Sequence, residues 1–279
     1  MQQNVDLSDR RIVEETRARF GLDRPIPVQF AIWLHDFVTG DWGRSLQTGE
    51  PVREMFRRRL PITLELFLGA TCWAWAIGIP LGVIGALRRN SALDVSLTAV
   101  AIGGVSIPAF WEGIVLIYLF AVITHVLPPS GFVPLTEGPW MNVKSILMPT
   151  FVIGTHSAGF LARYIRSSLL EVLGQDYIRT ARAKGLTEPA VVSKHAARPA
   201  AIPVATVIGL AWGQFMAGSF LVEYVFAVPG LGRMGVEAIF AKDFPVIQVT
   251  LMAVAVNVLL ANLAVDLAYG YLDPRVRVR

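Results

Sequence analysis

Five stretches of the chain carry no Asp, Glu, Lys or Arg: residues 66–87, 95–111 continuing past Glu112 to 123, 145–162, 199–222 and 244–265. A helix rises about 1.5 Å per residue, so about 20 residues cross a hydrocarbon core of roughly 30 Å. Each run, with its flanks, is long enough. Lipid offers backbone amides no water partner, which demands helix. Barrel strands would alternate apolar and polar residues, and these runs do not. The pattern predicts transmembrane helices near residues 61–87, 95–124, 145–170, 200–224 and 245–271, hence an all-α, polytopic membrane helix bundle of five spans. Pro80 and Pro108 fall inside spans and are expected to kink them.

The basic residues orient the bundle. Arg88, Arg89, Arg163, Arg166, Arg179, Arg182, Lys184, Lys194, Arg198, Arg275, Arg277 and Arg279 fall on one side. They outnumber Arg53, Arg57, Arg58, Arg59, Lys144, Arg233 and Lys242 on the other. The first side is expected to be cytoplasmic and to hold the C-terminus, with residues 1–60 outside. That segment reads as a small subdomain, with a helix over residues 9–20 and another over 28–38 that ends at the turn Gly40-Asp41-Trp42-Gly43. Residues 125–144 and 224–244 read as loops, the second turning at Pro229-Gly230-Leu231-Gly232-Arg233. A polar leading segment seldom crosses a membrane first, so a further span is expected upstream of Met1.

Composition agrees with the pattern. Charged residues make up 16% of 279, against roughly 25% in ordinary soluble domains. Disorder, collagen and a plain cytosolic enzyme are thereby disfavoured. A net charge of +4 gives no case for nucleic-acid binding. The single cysteine, Cys72, excludes a disulfide framework within the chain and reads as a small buried residue.

Charges inside spans are costly and therefore functional candidates. Glu112 lies deepest, just after Pro108, and is a candidate for a translocation pathway. Glu223 is the second candidate; it and Asp266 lie near span ends, where pairing or solvation also accounts for a charge. Asn257 and Asn262 suit helix–helix contacts, as do the Gly78/Gly82 and Gly209/Gly213 pairs. His35, His125, His156 and His195 lack metal-ligand spacing, and nothing in the sequence brings His156 and Ser219 together for hydrolysis. No Gly-Lys pair occurs, so the chain has no P-loop for ATP.

The most informative segment is the basic loop 173–199. Asp176 suits a helix start, Arg182 and Lys184 its end, Gly185 the position beyond it, and Thr187 the cap of a second short helix. Thr180, Ala181, Ala183 and Gly185 are small enough for another protein's backbone to approach, with Tyr177, Ile178 and Leu186 as apolar anchors.

In its order of residues this loop resembles that of the integral permease subunits of ATP-binding-cassette importers, in the dipeptide/oligopeptide/nickel group. The group's form, Asp-Tyr-x-Arg-Thr-Ala-Arg-Ala-Lys-Gly-Leu, is matched throughout by Asp176, Tyr177, Ile178, Arg179, Thr180, Ala181, Arg182, Ala183, Lys184, Gly185 and Leu186. The wider superfamily's Glu-Ala-Ala-x-x-x-Gly is matched only at Ala181 and Gly185. Further likenesses are Gly21-Leu22-Asp23-Arg24-Pro25, Gly40-Asp41-Trp42-Gly43-Arg44-Ser45, Leu60-Pro61-Ile62-Thr63-Leu64-Glu65-Leu66, Ser106-Ile107-Pro108-Ala109-Phe110-Trp111, Val225-Phe226-Ala227-Val228-Pro229-Gly230-Leu231-Gly232-Arg233 and Leu272-Asp273-Pro274-Arg275. Pro199 departs from the family's usual Asn, and the family has six spans where five are read here.

The resemblance implies a multi-pass permease of the bacterial inner membrane, with residues 1–60 periplasmic and 61–279 forming the permease domain. It implies a second permease subunit as heterodimer partner, two ATPase subunits holding ATP and Mg2+, and an external substrate-binding protein. No cofactor is expected in this chain. The loop residues from Asp176 to Leu186 would couple it to the ATPase. The alternative weighed is a stand-alone secondary transporter or channel, which would need a repeated half-fold that the sequence does not display.

Overall fold

The computed structural model describes residues 23–272. The helix expected over residues 9–20, the tail arginines Arg275, Arg277 and Arg279, and the match at Asp273-Pro274-Arg275 lie outside them. The described residues form helices α1 (Ile26–Thr39), α2 (Val52–Leu87), α3 (Ala92–Ser106), α4 (Ala109–Leu116), α5 (Pro139–Leu173), α6 (Asp176–Ala183), α7 (Glu188–Ala190), α8 (Ala197–Val225), α9 (Leu231–Ala241) and α10 (Phe244–Leu272). Wider π-helical turns extend α4 over Ile117–Ile123 and join α7 to α8 over Val191–Ala196. The bundle is all-α apart from a single bridge between Arg44 and Pro51 among the described residues.

Three helices are each long and apolar enough to cross a membrane: α2, α5 and α10 over Phe244–Leu267. The stretch expected as one kinked span over 95–124 is two helices meeting at 95°. Proline lacks an N–H and pushes the residue before it out of helical geometry. Ile107 accordingly sits extended at φ −81°, ψ 127°, and Pro108, extended as well, caps the start of α4. Pro80, by contrast, stays inside an unbroken α2 together with Pro61. α2 also starts earlier than expected, at Val52, within the segment read as external.

α2 and α5 pack at backbone distance. A Cβ on Gly78 would lie 3.0 Å from the Ala158 carbonyl oxygen, and one on Gly82 would lie 2.7 Å from that of Ala162. From the other side, a Cβ on Gly154 would lie 2.9 Å from the Ala70 carbonyl oxygen. Small residues permit such approach where lipid gives no hydrophobic drive between helices. Gly209 of α8 instead makes room for the Val265 side chain of α10. Asn257 adds a hydrogen bond from Nδ2 to the Trp212 carbonyl at 3.4 Å, as expected of a helix-joining amide. Cys72 is exposed on α2, contrary to the buried position expected.

The core divides between the two ends of the bundle. At the basic end, Ala86, Leu161, Ile165, Leu169, Val191 and Ala200 bring together α2, α5 and the start of α8. Asp94, at the start of α3, accepts two hydrogen bonds from Arg166 of α5, from Nε and NH2 at 2.7 Å each. At the opposite end, Val52, Leu66, Met148, Val222, Phe226 and Leu231 form the larger cluster. There Trp42 stacks on Phe37 of α1 at 5.3 Å and meets Phe56 of α2 edge-on at 5.1 Å. The turn 44–51 is fixed by the hydroxyl of Ser45, which donates to Asp243, and by Leu46 N, which donates to the same carboxylate at 3.1 Å. The region read as the loop 224–244 contains α9, so only residues 226–230 and 242–243 lie outside helix there.

Gly82→Val should lower the thermal unfolding midpoint of the purified protein, since overpacking costs about 1–3 kcal/mol. Gly103→Val on α3, where nothing lies within 4 Å of a Cβ, should leave it unchanged. Thermal melts in detergent check both.

Candidate functional site

The basic end presents α6. Gln175 precedes it in extended geometry, Asp176 opens it, and Gly185 lies beyond its last turn at φ +82°, where a residue without Cβ is favoured. Of the apolar anchors expected for a partner, Ile178 is instead fully buried within the chain, and Ala181, expected to be open to a partner's backbone, is nearly so. They lie three apart on one helical face and pack into the cluster formed by α2, α5 and α8. Asp176, Tyr177, Arg179, Thr180, Arg182, Ala183, Lys184, Gly185 and Leu186 are exposed. Arg182 reaches forward to Glu188, with Nε donating at 2.7 Å, and so braces the turn between α6 and α7. Thr187 occupies the cap position, although its side chain makes no capping bond. The second short helix expected there is continuous, through its π-helical turn, with α8.

At mid-span the structure pairs Glu112 with a residue that the sequence left unassigned. His156 Nε2 of α5 lies 3.2 Å from Glu112 Oε2 of α4. Both atoms are buried and neither completes a hydrogen bond. Two further buried atoms without a partner, Thr155 Oγ1 and Arg163 Nε, belong to the same helix. The Arg163 guanidinium lies over the Phe160 ring at 4.9 Å.

Glu223 has a different setting. It is fully buried, accepts from Thr63 Oγ1 of α2 at 2.9 Å, and accepts from the Arg233 amide at the start of α9 at 3.0 Å. Thr63 Oγ1 in turn accepts from Leu231 N at 2.8 Å. A carboxylate here satisfies amides that the first turn of α9 leaves open and opposes the helix dipole. Gly230 and Gly232 leave room for it, since a Cβ on either would fall 2.4 Å or 3.0 Å from Glu223 Oε2. Ser219 also bonds to Glu223, so it and His156 serve separate groups. Asp266 and Asn262 are exposed on α10.

Sequence reasoning missed Thr63, His156 and Arg163 as parts of these groups. Thr63 stood within a quoted likeness, but its partner is 160 positions away. Among the described residues no cluster of three or more His, Cys, Asp or Glu could hold a metal ion.

Long apolar helices with ionisable side chains paired between them define a polytopic membrane protein. Residues 78–278 match the binding-protein-dependent transport system inner membrane component family. The dipeptide transport system permease protein DppB of Escherichia coli (strain K12) is 41% identical over 283 residues, covering 93% of this chain and 84% of DppB. Two inward-facing crystal forms of the MetNI methionine ABC transporter share the fold, with TM-scores of 0.68 and 0.67 at 21% and 22% identity. Each likeness covers 80% of this chain and 99% of the matched one. The chain therefore belongs to the binding-protein-dependent transport system inner membrane component family. It is a permease subunit of an ATP-driven importer and not itself an enzyme, which sets aside the stand-alone transporter or channel.

Glu223→Ala should destabilise the corner between α8 and α9 by about 3 kcal/mol, because buried amide and hydroxyl donors lose their acceptor. Limited trypsin digestion should then cut faster after Arg233, with Glu223→Gln intermediate.

Proposed function

We propose that this chain carries peptides, or a closely related small solute, across the bacterial cytoplasmic membrane as one half of a heterodimeric permease. The observation that carries the reading is the 41% identity to the dipeptide permease DppB over 93% of this chain. Within that likeness, the segment from Asp176 to Leu186 supports it most specifically. In this reading two ATP-binding-cassette subunits hold ATP and Mg2+, and an extracytoplasmic binding protein delivers the solute.

Five spans are assigned: α2, the broken pair α3 and α4 taken as one, α5, α8 and α10. α8 supports the count, being 29 residues long and free of charge between Arg198 and Glu223. The density of Arg and Lys at the α6 end assigns that end, and the C-terminus, to the cytoplasm. Residues 1–60, the 124–138 connection and α9 then face outward. Residues 61–279 form the permease domain, with 173–199 as its coupling loop.

The exposed residues of α6 and its turn, Asp176, Tyr177, Arg179, Thr180, Arg182, Ala183, Lys184, Gly185 and Leu186, are assigned to the ATPase surface. Ala181, with Ile178, ties that surface to the spans, so displacement of α6 is passed to the ends of α2, α5 and α8. Closure of the ATPase pair on ATP thereby biases a two-state bundle. Glu112 is assigned to the pathway, and Glu223 to the outer corner.

Tyr177→Ala and Gly185→Trp should each lower co-purification of the ATPase at least tenfold while the chain still inserts in the membrane. Undiminished co-purification with both variants overturns the assignment of α6.

A further inference from the structure

Four of the five buried side-chain atoms that lack a hydrogen-bond partner among the described residues fall on one strip of the molecule: Glu112 Oε2, Thr155 Oγ1, His156 Nε2 and Arg163 Nε. The strip follows α5 and is covered by the broken span, Glu112 coming from α4 and the crevice beside Arg163 being lined by Leu97, Thr98 and Ala101 of α3. An unsatisfied buried polar group costs about 1–3 kcal/mol, and ionisable groups at membrane depth mark the paths of polar solutes. The buried carboxylates Asp94, Asp243 and Glu223 are fully engaged among the described residues. Asp94 holds Arg166 through two bonds, Asp243 holds Ser45 and Leu46, and Glu223 holds the start of α9. Glu112 and Arg163 alone among these carry charge into the strip without a backbone or bidentate partner.

Their order along α5 matters. Glu112 lies beside His156, and Arg163 follows seven positions on, a rise of about 10 Å. An extended chain of three residues spans at most about 10 Å. A short peptide with free ends carries an ammonium at one end and a carboxylate at the other, a separation comparable with the rise along α5 from His156, beside Glu112, to Arg163. A planar guanidinium suits a carboxylate through two parallel hydrogen bonds.

We propose that this strip is a transient subsite for the free termini of a short peptide, with Glu112 receiving the α-ammonium and Arg163 the α-carboxylate. His156 holds Glu112 when the subsite is empty and yields it to the ammonium. The cover over the strip is the 95° break at Ile107 and Pro108, among the described residues the one place where a candidate span is divided into two helices. The proposal rests on the peptide reading above and adds to it which atoms of the solute the permease itself contacts.

Uptake by the complete importer in proteoliposomes, with its binding protein, tests it. Three probes are compared: trialanine, N-acetyl-trialanine and trialanine amide. The binding protein is the same throughout, so its own selectivity cancels when ratios are compared between variants. Glu112→Gln should reduce the preference for trialanine over the N-acetyl form at least tenfold and leave the preference over the amide unchanged. Arg163→Gln should do the reverse, and Arg163→Lys should restore part of the preference. Where a glutamine variant does not assemble, Glu112→Asp replaces it and should reduce the first ratio severalfold. Equal loss of uptake for all three probes, with both ratios unchanged, assigns these residues to packing alone and overturns the proposal. If the wild-type importer accumulates none of the probes, the peptide reading itself falls, a result distinguishable from unchanged ratios.

Discussion

The backbone-to-backbone contact between α2 and α5 governs where the other elements lie. Helices in lipid gain little from burying apolar surface against one another, so close van der Waals packing has to hold them. Gly78 and Gly82 on α2 and Gly154 on α5 reduce the separation until carbonyl oxygens meet α-carbons. α3, α6 and α8 are attached to this pair, and α10 reaches it by packing on α8. Asp94 ties the start of α3 to Arg166 of α5, and Ser168 of α5 donates to the Ala200 carbonyl of α8 at 2.8 Å. α6 follows directly from α5 and folds back on the pair through Ile178. The exposed helix at the basic end is therefore fastened to the most closely packed helix pair among the described residues.

Buried carboxylates divide into two kinds. Asp94, Glu223 and Asp243 each accept from a backbone amide as well as a side chain, closing a helix start or a turn. Lipid or a dry interior makes an open amide expensive, and these side chains remove that cost. Glu112 faces only an imidazole. The chain thus separates carboxylates that build it from one that stays available.

The helical spans were legible because a folded chain rarely runs without charge for about 20 residues unless lipid surrounds it. The position of Gly185 beyond α6 was legible from local geometry alone. Local sequence did not distinguish Pro108, which breaks a span, from Pro80, which a helix absorbs, because the outcome depends on which neighbour accepts the freed carbonyl. The inward turn of Ile178 and Ala181 had a readable signal in their spacing of three, which places them on one face. Thr63 with Glu223, and His156 with Glu112, had none. Such partners meet only after distant helices pack, and no periodicity records that.

The clasp between Ser45 and Asp243 joins positions 198 residues apart. It cannot close until the ribosome has made residue 243, long after the segment carrying Ser45 has emerged. Through most of synthesis, the turn at Ser45 and Leu46 therefore waits without its final partner while the intervening helices enter the bilayer. Maturation of this face is a late event in biogenesis, and a nascent chain stalled before Asp243 would retain a loose leading edge open to quality-control proteases.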